Sequence, residues 1–214
     1  MKHLICCFAI ALGLLFLPFI MSKAYTIKQL TQNTTIYLKH NVIMEPKFQG
    51  TPVKLTGEFV KAGTKAPEFV LTKADLSSFV LKEELGKGFL LLNIFPSIDT
   101  SVCAASVRHF NQEASSLKDT RVLCISKDLP FAQARFCGAE GLKNVITLSS
   151  FRPGCTFGED YGVQIISEPL TGLFARAIVI INPQGEIVYS QLVPEITNEP
   201  DYAAALDALK AAVK

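Results

Sequence analysis

From about residue 47 the chain alternates between short unbroken apolar runs and stretches whose apolar positions recur at helical spacing. "FLLLNIF" (Phe89 to Phe95) and "RVLCIS" (Arg121 to Ser126) are continuous apolar runs, as expected of strands covered on both faces. "NVITLSS" predicts a further short strand. "ARAIVIIN" and "EIVYSQLV" predict two more, joined as a hairpin through Pro183, Gln184 and Gly185, and "FQGTPVKLTG" is hairpin-like near the start of this region. Between these runs, "SVCAASVRHFNQEASSL" predicts a helix with Val102, Ala105, Phe110 and Ala114 among its apolar positions. "DLPFAQARFCGAEG" predicts a second helix with Asp128 as its cap, Pro130 in its first turn and an end near Gly138. "EPDYAAALDALKAAV" predicts a C-terminal helix that starts at Pro200 and carries Tyr202, Leu206 and Leu209 inward. Strands that alternate with helices imply an α/β fold, and the late hairpin makes its central sheet mixed.

Composition narrows the class of partner. With 49% hydrophobic residues among 214, the chain can bury a core, and a net charge of +2 with interspersed signs leaves no footprint for nucleic acid or an anionic membrane surface. The first segment has a basic start at Lys2, an apolar run from Leu4 to Met21, and small residues at Ser22 and Ala24. That pattern predicts a secretory signal over residues 1–24, hence an exported, periplasmic protein. An uncleaved membrane anchor is the alternative, and a true start near Met44 would make the protein cytoplasmic. Residues 25–46 read as a linker, and residues 47–214 as one domain. Cys6 and Cys7 lie at the start of the apolar run and read as apolar filler.

The candidate chemistry lies in "NIFPSIDTSVCAAS", where an apolar strand runs into Pro96, a polar loop, and then Cys103 at the start of a helix. A free thiol is only about 3% thiolate at pH 7, and a nucleophilic cysteine needs its pKa lowered from near 8.5 to roughly 6. That change requires about 3.4 kcal/mol of preferential stabilisation of the anion. A helix N-terminus supplies roughly 0.3 to 2 kcal/mol of it, so a cation has to stand beside the sulfur, helped by a hydroxyl such as that of Thr100. Arg108, five residues along the same helix, is turned about 140° away, and His109 lies nearly two turns deeper. Arg176 is an isolated charge entering the apolar strand "ARAIVIIN"; it is either paired with an anion such as a thiolate or a surface residue at a strand edge. Cys137 lies near the C-terminal end of its helix, where the dipole disfavours a thiolate. It reads as a capturing partner or as a buried structural cysteine. Cys124 sits inside a strand and reads as core, and Cys155 falls in a loop. The three histidines are scattered and no cysteine pair has ligand spacing, which argues against a metal.

"PSIDTSVC" carries a Pro-x-x-x-Thr-x-x-Cys signature at Pro96, Thr100 and Cys103, and it resembles that of peroxiredoxins. With "VLCISKDLPFAQARFCGAEGLKNVITLSSFR" and "SQLVPEITNEPDYAAALDALK", the chain from about Phe48 onward is similar to the bacterial thiol peroxidases, atypical two-cysteine peroxiredoxins. The resemblance implies a thioredoxin-like fold, no cofactor, a homodimer, and reduction of hydrogen peroxide and alkyl hydroperoxides. It implies that Cys103 is the peroxidatic cysteine and becomes a sulfenic acid, that Thr100 and Arg176 orient the peroxide and stabilise the thiolate, and that Pro96 shields the sulfur. Cys137 matches the resolving cysteine, whose disulfide with Cys103 is reduced by thioredoxin or a similar dithiol protein. A peroxide sensor or redox relay would use the same cysteines. A thioredoxin-like disulfide oxidoreductase would need a second thiol where this chain has Cys103-Ala104-Ala105-Ser106.

Overall fold

The computed structural model describes residues 45–213, and the segments read above as a signal and most of the linker lie outside the described residues. A hairpin of β1 (Lys47–Phe48) and β2 (Thr51–Pro52) precedes a seven-stranded sheet. That sheet is built from β3 (Val70–Lys73), β4 (Ser78–Val80), β5 (Phe89–Ile94), β6 (Thr120–Ser126), β7 (Val145–Ser149), β8 (Ala177–Ile181) and β9 (Ile187–Leu192), in the order β4-β3-β7-β6-β5-β8-β9. The central β5, β6 and β7 run parallel, and the strands on either side of them run antiparallel, so the sheet is mixed as expected. Among the described residues five helices connect or follow the strands: α1 (Leu81–Glu84), α2 (Ser101–Ala114), α3 (Pro130–Glu140), α4 (Phe157–Asp160) and α5 (Tyr202–Ala212).

The unbroken apolar run of β5 has its physical reason in a core on each side of the sheet. Leu90, Leu92 and Ile94 enter one core with Phe69, Leu123, Ile125, Phe157, Tyr161 and Phe174. Leu91 enters the other, with Val107 and Phe110 of α2 and Ala205 and Leu209 of α5. Cys103 belongs to this second core.

Three helix boundaries differ from the sequence reading. Asp128 does not cap α3; Leu129 stands at that position, because the Asp128 carboxylate is occupied by the loop that leads to Cys103. The helix runs through Gly138 to Gly141, whose left-handed φ of 67° lets its amide reach back to the last carbonyls. At the C-terminus the helix starts after Pro200: Asp201 is the cap, and its side chain accepts from the Ala204 amide at 2.9 Å. The hairpin β3–β4 and the short α1 and α4 were not anticipated, since strands of three or four residues carry too little periodicity to register.

Candidate active site

The site lies at the C-terminal end of β5. Phe95 extends the ladder by one bond, its amide donating to Ile125 O at 3.1 Å, and then Pro96 withdraws a donor and the chain leaves the sheet. Pro96 is buried. Asp128, in the turn between β6 and α3, holds the following loop through hydrogen bonds from the Ser97 hydroxyl (2.8 Å) and the Ile98 amide (2.7 Å). Thr100 is extended (φ −99°, ψ 146°) and forms the boundary of α2, but its hydroxyl donates to Ser97 O at 3.2 Å and does not cap the helix. The amides of the first turn are therefore left without a side-chain acceptor, and Cys103 is the third residue of that turn.

Cys103 is wholly buried, between Phe95, Ile98, Val107, Phe110 and Ile178. Its polar contact comes from a residue 73 positions away: Arg176 Nη2 lies 3.5 Å from Sγ. The register of the sheet brings the two together. Ile94 pairs with Ala177 across the antiparallel β5–β8 ladder, so Arg176, one residue before Ala177, stands beside the point where β5 ends. Arg176 is 2% exposed and has no carboxylate within ion-pair distance among the described residues. Nε and Nη2 donate to Ile196 O at 3.0 and 2.9 Å, while Nη1 is buried without a partner. Burying an unpaired guanidinium costs several kcal/mol, and the sulfur of Cys103 is the adjacent group able to offer compensating negative charge. The surface alternative for Arg176 is thereby overturned.

Arg108 instead forms a two-pronged pair with Glu140 (2.9 and 2.8 Å), which links α2 to α3 and draws the Glu140 carboxyl below its ordinary range. His109 stacks on Tyr202 with ring centroids 3.8 Å apart. The Tyr202 hydroxyl donates to Glu199 at 2.7 Å; its pKa is pushed up, chiefly by burial and then by that carboxylate, and Arg176 and Cys103 are near enough to act on it electrostatically.

Among the described residues the cysteines Cys103, Cys124, Cys137 and Cys155 are free thiols. Cys137 is half-buried on α3, and burial raises its pKa. Cys124 lies inside β6, fully buried, with its thiol pushed up to about 12 by desolvation. Cys155 lines a cavity of about 290 Å³ with Glu68, Val70, Val80 and Phe157. That cavity does not contain Cys103, and its Phe69 and Phe157 belong to the core on the other side of the sheet.

Several residues that shape the site escaped the sequence reading. Asn93, wholly buried in β5, donates to the Ser106 hydroxyl at 3.2 Å, and Ser106 donates to Cys103 O at 2.8 Å. Gln133 of α3 donates to the Ser126 hydroxyl and to Leu148 O, and Ser126 in turn donates to Asp128. The available signal was an amide side chain at an otherwise apolar position, in "LLNIF" for Asn93 and in "PFAQARF" for Gln133.

Residues 61–206 match the redoxin family. The chain belongs to the redoxin family. Within it the similarity is to thiol peroxidases: that of Corynebacterium glutamicum is 51% identical over 162 residues, covering 76% of this chain and 96% of the relative. The thiol peroxidase of Mycobacterium tuberculosis is 53% identical over 163 residues, with the same coverage. Among solved structures, a peroxiredoxin-like protein from Aquifex aeolicus superposes with a TM-score of 0.73 at 37% identity, covering 78% of this chain and 96% of that one. The redoxin match takes in every residue discussed at the site, from Glu68 to Tyr202.

Proposed function

We propose that this redoxin is a thiol peroxidase in which Cys103 is the peroxidatic cysteine and Cys137 resolves it. As a thiol-dependent peroxidase the protein reduces hydroperoxides at the expense of thiols, and the observation that supports Cys103 in the first step is its contact with the buried, otherwise uncompensated Arg176. The thiolate attacks the terminal peroxide oxygen: the S–O bond forms, the O–O bond breaks, and the departing oxygen takes up a proton to leave as water or an alcohol. The sulfur is oxidised by two electrons and the peroxide reduced by two. Arg176 Nη1, a buried donor without a partner, and the open first-turn amides of α2 suit the oxygen that becomes negative in this step. Pro96, buried against the end of β5, keeps water from the sulfur, and Thr100 contributes its hydroxyl to the peroxide once it is released from Ser97 O.

Cys137 then displaces water from the sulfenic acid to give an intramolecular disulfide, which thioredoxin or a similar dithiol protein reduces by two exchange steps. The two cysteines stand on separate helices, α2 and α3, as free thiols, so on this reading the disulfide links those two helices. Alkyl hydroperoxides are the proposed preferred substrates, and a homodimer the proposed assembly. Export to the periplasm under an N-terminal signal remains part of this reading and is tested by cell fractionation with intact mass: a mature chain beginning near Tyr25 supports it, and a full-length cytoplasmic chain contradicts it.

Replacing Cys103 by Ser abolishes peroxide reduction on this account, while Cys137→Ser allows one turnover and then stops cycling with thioredoxin. Full cycling in Cys137→Ser, measured as reductant consumed per enzyme, would remove Cys137 from its role.

A further inference from the structure

Arg176 is held by a main-chain carbonyl, that of Ile196, which receives both Nε and Nη2. No side-chain substitution can delete that acceptor; its position is set by whatever fixes the loop from Val193 to Asn198. The loop leaves β9 with Val193 N bonded to Arg176 O at 2.9 Å and is then tied to the N-terminal hairpin. Lys47 N donates to Pro194 O and Ile196 N donates to Lys47 O, both at 2.8 Å. The Ile196 side chain is buried with Val53, Ile165 and Ala175.

One carboxylate closes this arrangement. Glu195 Oε1 accepts from the amides of Gln49 (3.0 Å) and Thr197 (3.1 Å) and from the Thr197 hydroxyl (2.8 Å), and Oε2 accepts from the Gly50 amide at 2.9 Å. Gln49 and Gly50 adopt positive φ values of 52° and 81°, which turn two successive amides toward the same carboxylate. The residues before and after Ile196 are thus fastened by a single side chain, one of them to the hairpin and the other to the loop itself.

We infer that Glu195 is a positioning residue for the peroxide reaction: by clamping the β1–β2 turn and Thr197 it holds the Ile196 carbonyl, and with it the guanidinium of Arg176, against Cys103. Glu195 touches neither the sulfur nor any site for the peroxide, so its effect is transmitted entirely through Arg176. The inference rests on the reading of Cys103 as the peroxidatic cysteine. Without the clamp the carbonyl retreats, the guanidinium gains freedom to turn from the sulfur, and the thiolate loses its partner.

The test compares the full chain with its Glu195→Ala and Glu195→Gln variants. Three quantities are read: the pH profile of Cys103 alkylation, the single-turnover rate constant with hydrogen peroxide, and the urea midpoint. In Glu195→Ala the alkylation profile moves to higher pH by about one unit, and the peroxide rate constant falls about tenfold at pH values well below the wild-type midpoint and by only about twofold one unit above it, the two changing together because both follow the thiolate fraction. A glutamine oxygen in the place of Oε1 retains three of the four donors and loses Gly50, so Glu195→Gln shows a smaller change in the same direction. A folded Glu195→Ala with the wild-type profile and rate constant overturns the inference, whatever its urea midpoint, because the residue then serves stability alone. If Glu195→Ala does not fold, Glu195→Gln decides: wild-type chemistry with a lowered urea midpoint contradicts the clamp. Failure of the wild-type Cys103 to react with peroxide at all would instead remove the underlying reading, a result distinct from either.

Discussion

At the scale of single residues, the site is a pairing of one sulfur with one guanidinium in an apolar setting. Arg176 has no competing anion among the described residues, and its hydrogen bonds to Ile196 O neutralise none of its charge. Arg176→Ala should therefore slow the peroxide step by about 10² or more, the scale seen when one preorganised donor is removed from an active site. Stopped-flow oxidation of the protein reads this rate directly, and a change below twofold would show that the helix terminus suffices without the cation. The other thiols order themselves by burial. Cys124, pushed up to about 12, stays protonated and resists alkylation in the folded protein at pH 7, and half-buried Cys137 reacts more readily than Cys124 but still below an ordinary thiol. Peptide mapping after timed iodoacetamide treatment checks the order, and early labelling of Cys124 would contradict it.

At the scale of elements, the Pro96-to-Cys103 stretch was legible because a strand, a proline and a cysteine at a helix start form a local pattern. Arg176 was visible as an anomaly, a charge in an apolar run, but its destination depended on the Ile94–Ala177 register, which no local pattern encodes. Asp128 shows the opposite failure. Its position before Pro130 reads as a helix cap, yet three donors from Ser97, Ile98 and Ser126 claim its carboxylate, and a long-range interaction displaced the local one. Asp128 thus joins the loop before α2 to the element that carries Cys137, and its removal leaves the Ile98 amide and two hydroxyls to find water. Asp128→Ala is expected to cost about 1–3 kcal/mol in urea unfolding and, on the proposed Cys103–Cys137 mechanism, to change the rate of disulfide formation after oxidation, since Asp128 holds the loop that leads into α2. Unaltered stability and resolution rate in that variant would show that the connection is passive.

At the scale of the molecule, a mixed sheet with a core on each face supports a site that draws on distant parts of the chain: the loop after β5, the residue before β8, the loop after β9 and the N-terminal hairpin. The hairpin was legible from Gly50 and Pro52, but its attachment through Glu195 was not, because the contact spans 145 residues. The Gly50 amide is the main cause holding the Glu195 carboxyl down at about 2, against the ordinary 4.5, with Thr197 and Gln49 adding to it. A depressed carboxyl contributes stability that is fully present above about pH 4.5 and is lost as the pH falls toward about 2. Acid titration of unfolding stability should show this loss in the wild type and a shallower one in Glu195→Gln; identical acid limbs would mean that the carboxylate is already free in solution. The chemistry of the whole molecule turns on which sulfur meets the peroxide first. The most direct measurement treats the reduced protein with one equivalent of hydroperoxide and maps the oxidised cysteines by mass spectrometry, in the wild type and in Cys137→Ser. A Cys103–Cys137 disulfide in the first and a sulfenic acid confined to Cys103 in the second is the predicted result, whereas first oxidation at Cys137, Cys124 or Cys155, or none at all, would contradict it.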